Sequence, residues 1–407
     1  MTGAIITAIA FPLIGAAVAR LAGGGPRFLL GVGTTGFVLY ATMLLRLPML
    51  PVMIVLLLAA IAVLASFPRR APRESVQTSA AATVVTIAPV VFLLFASAII
   101  PLRDYDGRAF WVLKAKAIAN ERMVDGPFFR GEHGPNPKNE YPLLVPIANA
   151  AVMVAGGSSD DLAIRWMYVL ALGSFALHAR RYVGAWPAAL IPWLPQFAIS
   201  PEGGALSAYN DIFLAAFAGC AFFELVERAS PFRFGVWLSF LVLTKNEGLP
   251  FAVLLLAAAV VIWRRRLPAA LPAFGAALCT LLAWRSRVEP TDDDPLILLL
   301  STLPERTERL LPAINGYLAY AGDLEQWGLF WIAVALAVIL LAMRRDWRTL
   351  AVPLILMIGM SAVYIAAYMV TTWQLQDHLA ASADRLLMHL VAPALYLIGS
   401  AARPRAG

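Results

Sequence analysis

The chain has 407 residues, 60% of them hydrophobic and only 14% charged, with a formal net charge of +7. Globular domains carry about 25% charged residues, and apolar runs long enough to cross a bilayer recur from end to end here, which excludes an ordinary soluble enzyme. In such a chain basic residues set orientation, so the positive charge is no nucleic-acid signal, and the expected surroundings are a lipid bilayer.

Taken in chain order, spans are expected at 4–19, 28–45, 48–67, 79–100, 162–179, 183–200, 211–227, 234–244 with 248–263, 269–284, 327–343, 349–370 and 386–401. Two segments need separate argument. Residues 143–156 are too few to cross comfortably and contain Pro146, so they are expected to be juxtamembrane or re-entrant. Residues 234–263 as a single helix would extend about 45 Å, more than a hydrocarbon core of about 30 Å. Gly248 and Pro250 supply a break, giving two short helices that meet at Lys245-Asn246-Glu247-Gly248.

The expected fold class is therefore all-α: a polytopic membrane protein of about 13 crossings, including that broken hairpin, in one integral-membrane domain over 1–407. The positive-inside rule then puts Arg69/Arg70/Arg73, Arg180/Arg181, Arg228/Arg233, Arg264–Arg266, Arg344/Arg345/Arg348 and Arg403/Arg405 on the cytoplasmic side. Carboxylates follow the opposite bias, for only Glu74, Glu224, Glu227 and Asp346 fall on that side and 21 of the 25 fall on the other. Cys220 and Cys279 lie in apolar runs and read as packing residues.

The large outer loop, 101–161, opens with Asp104 and Asp106 around Tyr105, where the choice lies between helix-end solvation and a reactive pair. Residues 107–120 then mix Phe110, Trp111, Leu113 and Ile118 with Lys114 and Lys116. This pattern suits an interfacial helix with lysines reaching lipid phosphates. Glu140-Tyr141-Pro142 returns the chain to the membrane.

The next outer turn carries Glu202, Asn210 and Asp211, and for Asp211 a plain role at a helix N-terminus is the simpler reading. Lys245 and Glu247 sit at the tip of the broken hairpin, where ionisable groups are costly unless paired or lining a wet cavity. Near the end, His378, Ser382, Arg385 and His389 share one helical stripe. A guanidinium on such a stripe binds phosphate oxygens through two parallel hydrogen bonds, or forms a structural ion pair with an outer carboxylate.

Together, "YDGRAFWVLKAKAI", "EYPLLVP", "SAYNDIFLAAF", "LTKNEGLPF" and "HLAASADRLLMHLVAP" resemble, in order, the GT-C superfamily of integral-membrane glycosyltransferases. Protein O-mannosyltransferases and the aminoarabinose transferase of lipid A belong to it. The resemblance implies a bacterial inner-membrane protein that moves a sugar from a polyprenyl-phosphate donor to a hydroxyl of a glycan, lipid or protein acceptor, with inversion, on the extracytoplasmic side. It implies Asp106 as catalytic base, with Asp104 orienting the acceptor or helping to hold a divalent cation (Mg or Mn). Arg385 and Lys245 would stabilise the departing phosphate. Glu247, His378, Ser382, Glu140, Tyr141, Asn210, Asp211 and Lys114 would complete the substrate site. The chain departs from the pattern in having four spans before the motif loop, so residues 1–78 read as an added helical module, and Glu140-Tyr141-Pro142 stands where many relatives have His-Pro or Pro-Pro.

Phosphate is already a good leaving group, so one carboxylate base suffices, unlike the acid-plus-base pair of ordinary glycoside hydrolysis. The alternative is a transporter or flippase of lipid-linked sugars, which favours ionisable groups near the midplane and internal symmetry between halves. The sequence shows no such repeat.

Overall fold

A computed structural model describes residues 2–67, 79–132, 139–288 and 302–403. The basic clusters expected at Arg69, Arg70, Arg73 and Arg405 lie outside them. The described residues form an all-helical bundle. Its main helices are α1 (Thr2–Ala22), α2 (Arg27–Leu44), α3 (Met49–Ser66), α4 (Ala80–Ile99), α5 (Leu113–Glu121), α6 (Leu144–Gly156), α7 (Leu162–Val183) and α8 (Asp211–Val226). There follow α9 (Pro231–Val242), α10 (Gly248–Trp263), α11 (Leu271–Arg285), α12 (Leu310–Ala321), α13 (Phe330–Met343), α14 (Trp347–Val370), α15 (Leu375–Met388) and α16 (Val391–Ala402).

Seven helical stretches among the described residues are long and apolar enough to cross a membrane, or eight if α15 and α16, bent by 47° at their junction, count as one span. This is a multi-pass membrane protein. The finer count of thirteen is not reached, and proline explains part of the gap. The crossing expected at 183–200 contains Pro187, Pro192 and Pro195 and breaks into the short helices Ala185–Ala189, Ile191–Trp193 and Pro195–Ala198, because an interior proline removes a backbone donor and clashes with the preceding turn. The stretch from Gly248 to Arg285 runs on for 38 residues, kinked where Arg264 adopts φ +41°.

Packing sorts the helices into a centre and a jacket. α8 is buried along nearly its whole length, and so are the first ten residues of α6, Leu144 to Met153. α3, by contrast, buries only Met49 and Ala60. Its exposed Leu50, Ile54, Val55, Leu58 and Ile61 are what a lipid-facing surface requires. Residues 143–156, expected to be a juxtamembrane or re-entrant helix too short to cross, form the 13-residue α6, which is buried within the bundle.

Local signals hold the ends. Ser79 accepts from the Ala82 N–H at 3.3 Å to cap α4, and Ser230 accepts from the Arg233 N–H at 3.3 Å to cap α9, each satisfying an otherwise orphaned helix donor. The break between α9 and α10 falls where Lys245-Asn246-Glu247-Gly248 places it. There the Leu144 N–H donates to the Leu243 carbonyl at 2.9 Å, which joins the start of α6 to this break and brings residues 140–144 alongside 243–247.

Candidate active site

The site is assembled at one end of α4, α7, α8 and α15. After α4 the chain passes Arg103-Asp104-Tyr105-Asp106 and enters a single π-helical stretch, Gly107–Val112, a conformation that recurs at functional sites. Gly107 is required here: a Cβ on it would lie 1.9 Å from the Ser207 carbonyl oxygen. That close approach seats Asp106 against the 200–210 loop. Its backbone N–H donates to the Tyr209 hydroxyl at 3.3 Å.

Arg385 reaches the same spot from α15. Its Nη1 donates to Asp106 Oδ2 at 2.9 Å, with the Asp106 side chain 30% exposed and that of Arg385 11%. The guanidinium lies over the Tyr209 ring at 4.9 Å, a favourable cation–π placement. Gly203, at φ +105°, leaves room for the arginine stem, since a Cβ there would sit 3.0 Å from Arg385 Cγ. Two residues 279 apart in sequence thus meet through glycines on two intervening loops.

Deeper in, Asp211 opens α8 and is fully buried. Its Oδ1 accepts from Lys245 Nζ at 2.8 Å and contacts His389 Nε2 at 3.2 Å, while His389 Nδ1 lies 2.8 Å from the Tyr364 hydroxyl. Lys245 also pairs with Glu247 at 3.2 Å. Arg385 acts electrostatically on Asp211, and Tyr141 is under the charges of Glu247, Glu140, Arg385 and Asp211 together. Asp106–Arg385 and Asp211–Lys245–Glu247 are therefore two ion-paired groups close enough to act on one another electrostatically.

Several buried polar atoms at these groups have no hydrogen-bond partner: Arg385 Nε, Asp211 Oδ2, Asn210 Nδ2 and Glu247 Oε2. Leaving such atoms unsatisfied costs about 1–3 kcal/mol each, more when charged, so water or a ligand is expected against them.

The other expected residues divide. Asn210 is fully buried and its Oδ1 accepts from the Tyr168 hydroxyl at 3.4 Å, which in turn accepts from Asn149 at 2.8 Å. Glu140 is buried, and Tyr141 packs edge-on to Trp111 at 5.7 Å. Ser382 bonds the Tyr368 hydroxyl at 2.9 Å and donates to the His378 carbonyl at 2.7 Å. The His378 ring packs on Tyr368 at 4.9 Å. The polar stripe on α15 faces protein throughout, but its His378–Ser382 half serves helix packing and its Arg385–His389 half reaches the two ion-paired groups.

Lys114 corrects an expectation. Rather than reaching for lipid phosphates it is completely buried, 4.0 Å from the Phe110 ring centre and 5.9 Å from those of Trp111 and Tyr141. α5 is part of the core, with Ala115, Ile118 and Ala119 buried. Lys116 pairs with Asp161 at 2.5 Å beside a cavity of about 360 Å³ that also touches Pro101 and Ser159. Burial raises the Asp104 carboxyl above the usual range, partly countered by its own backbone and by the charge of Arg165.

Sequence reading passed over Tyr209 and Arg165. Arg165 is 1% exposed and donates to the carbonyls of Leu206, at 2.9 Å, and Ile100, tying the end of α4 to the 200–210 loop. Its one available signal is an arginine four residues into an apolar helix. Glu202, noted in the sequence, accepts from the Tyr209 hydroxyl at 3.4 Å. Burial raises its carboxyl; Arg385 opposes this and Asp106 adds to it. Among the described residues no three His, Cys, Asp or Glu side chains come together in a metal-holding group, so a divalent ion at Asp104 has no ready set of protein ligands. Comparisons with protein-family models, curated proteins and solved structures give no match.

Proposed function

We propose that the protein is a glycosyltransferase of the membrane, taking a sugar from a polyprenyl-phosphate donor to an acceptor hydroxyl on the extracytoplasmic side. The observation that carries the reading is the Asp106–Arg385 pair at 2.9 Å. It sets a partly exposed carboxylate against a phosphate-binding guanidinium whose Nε is still unpartnered. The sugar donor supplies the anion that competes for that guanidinium.

The arrangement gives an order to the reaction. While Arg385 holds Asp106, the carboxylate oxygen Oδ2 is occupied by the ion pair and is not free to meet an acceptor hydroxyl. When the donor phosphate takes over the guanidinium through a two-pronged contact, Asp106 is released to accept the proton of the acceptor hydroxyl. The hydroxyl oxygen then bonds to the anomeric carbon from the face opposite the phosphate. The carbon–oxygen bond to phosphate breaks, its electron pair leaves on the phosphate stabilised by Arg385, and configuration inverts. Lys245, already shared by Asp211 and Glu247, serves chiefly to hold the buried Asp211 and the half-buried Glu247. The apolar surface between helices receives the prenyl chain, and the bilayer is both solvent and substrate store.

The test is Asp106→Asn in purified protein given a polyprenyl-phosphate sugar. Loss of transfer with donor binding retained supports the base role, and undiminished turnover removes it.

A further inference from the structure

At the opposite end of α4 and α7 from the candidate site lies a second basic cluster. Four arginines of that rim have firm partners. Arg20 donates to the Phe67 carbonyl at 2.7 Å, Arg403 to that of Tyr182 at 2.6 Å, and Arg344 to that of Ala401 at 2.8 Å. Arg233 donates to the Glu224 carboxylate at 2.6 and 2.9 Å and to the Ala22 carbonyl at 3.1 Å.

Arg180 differs from these four in being buried without a firm partner. It is only 7% exposed, yet its one hydrogen bond runs at 3.5 Å to the Ser79 carbonyl, its Nε has no partner, and no described carboxylate pairs with it. His178, one turn earlier and 6% exposed, likewise has an unpartnered Nε2, and its ring is under the positive charge of Arg181 and Arg233. Burying a guanidinium without a counter-charge costs several kcal/mol. The charge points at the N-terminus of α4, where the Ser79 side chain satisfies the Ala82 N–H and the first two helical N–H groups remain without helical acceptors. Helix dipole and guanidinium converge on a place for an anion.

The surroundings say which anion. Trp186 and Trp193 stand on the adjoining segment, 53% and 54% exposed, and Trp193 Nε1 donates to the Val85 carbonyl of α4 at 2.8 Å. Half-exposed tryptophans mark the headgroup level of a bilayer, so the anion available is the phosphate of a lipid, and basic pockets between spanning helices bind anionic headgroups.

We infer that Arg180, Arg181 and the start of α4 form a binding site for the phosphate of an anionic phospholipid in the leaflet opposite the candidate active site. This is independent of the glycosyltransfer reading.

Purified protein is placed in nanodiscs of phosphatidylcholine alone or with added phosphatidylglycerol, and released lipid is counted by native mass spectrometry. Wild type is expected to retain phosphatidylglycerol selectively and to melt higher in its presence. Arg180→Gln is expected to retain it about five-fold less well, the effect of one arginine near a lipid surface, whereas Arg20→Gln should match wild type. Equal retention by wild type and Arg180→Gln overturns the site, as does equal stabilisation of wild type by inorganic phosphate in pure phosphatidylcholine, which would make it a free-anion site. Should Arg180→Gln fail to fold, wild type decides alone: selectivity for phosphatidylglycerol that fades with salt supports the site, and no selectivity rejects it.

Discussion

The two rims of the bundle are both built around arginine, and they use it for different ends. On the Arg233 rim, Arg180 apart, firmly partnered guanidinium groups close helix ends: Arg20, Arg233, Arg344 and Arg403 each meet a backbone carbonyl, and the Arg233–Glu224 pair is satisfied on both sides. On the Asp106 rim, Arg165, Arg287 and Arg309 do the same for Leu206, Leu44 and Thr371, but Arg385 does not. It faces a carboxylate and a ring, in a cluster that leaves buried polar atoms unsatisfied. Completed pairing is the mark of structure, and incomplete pairing is the mark of a place prepared for something else.

The sharpest way to break this contrast is Asp106→Asn, where we expect a loss of about 10²–10⁴ in turnover per folded molecule, the usual contribution of a positioned base. Next comes Arg385→Gln. Removal of the phosphate-facing charge should lower turnover about 10²–10³-fold and weaken donor binding, read as a rise in KM. Arg233→Gln is the mirror experiment. It strands Glu224, which is 1% exposed, and should cost about 3 kcal/mol of stability by denaturant titration while turnover per folded molecule stays the same.

The smallest effect concerns pH. Burial, only partly opposed by Arg385, raises the Glu202 carboxyl above its ordinary value, which is about 4.3. Its stabilising contribution is complete below that ordinary value and lost as pH rises through the raised one. Glu202→Gln should therefore flatten the fall in melting temperature over that interval. An unchanged profile would show that the raised carboxyl does not govern it.

The same contrast explains what could be read from sequence. Membrane class, the break at Lys245–Gly248 and the prominence of Arg385 follow from local composition and period, which the chain displays directly. Arg165 and Tyr209 were passed over because their importance lies in which distant carbonyl or carboxylate they reach. Lys114 was misplaced for a related reason: an aromatic–lysine helix has the same pattern whether its partner is a headgroup or three rings of its own fold. The crossing expected at 183–200 is not one helix because prolines at 187, 192 and 195 outweighed hydropathy, which measures what a segment can be dissolved in and not whether it is helical.

The most direct test of the central proposal uses proteoliposomes loaded with polyprenyl-phosphate carrying a radiolabelled sugar and supplied with an envelope fraction as acceptor. Wild type should move label into the acceptor and release polyprenyl phosphate in equal amount, and Asp106→Asn should do neither. Label that stays on the prenyl lipid and merely changes leaflet, equally in both proteins, would contradict the account and make the protein a carrier of lipid-linked sugar.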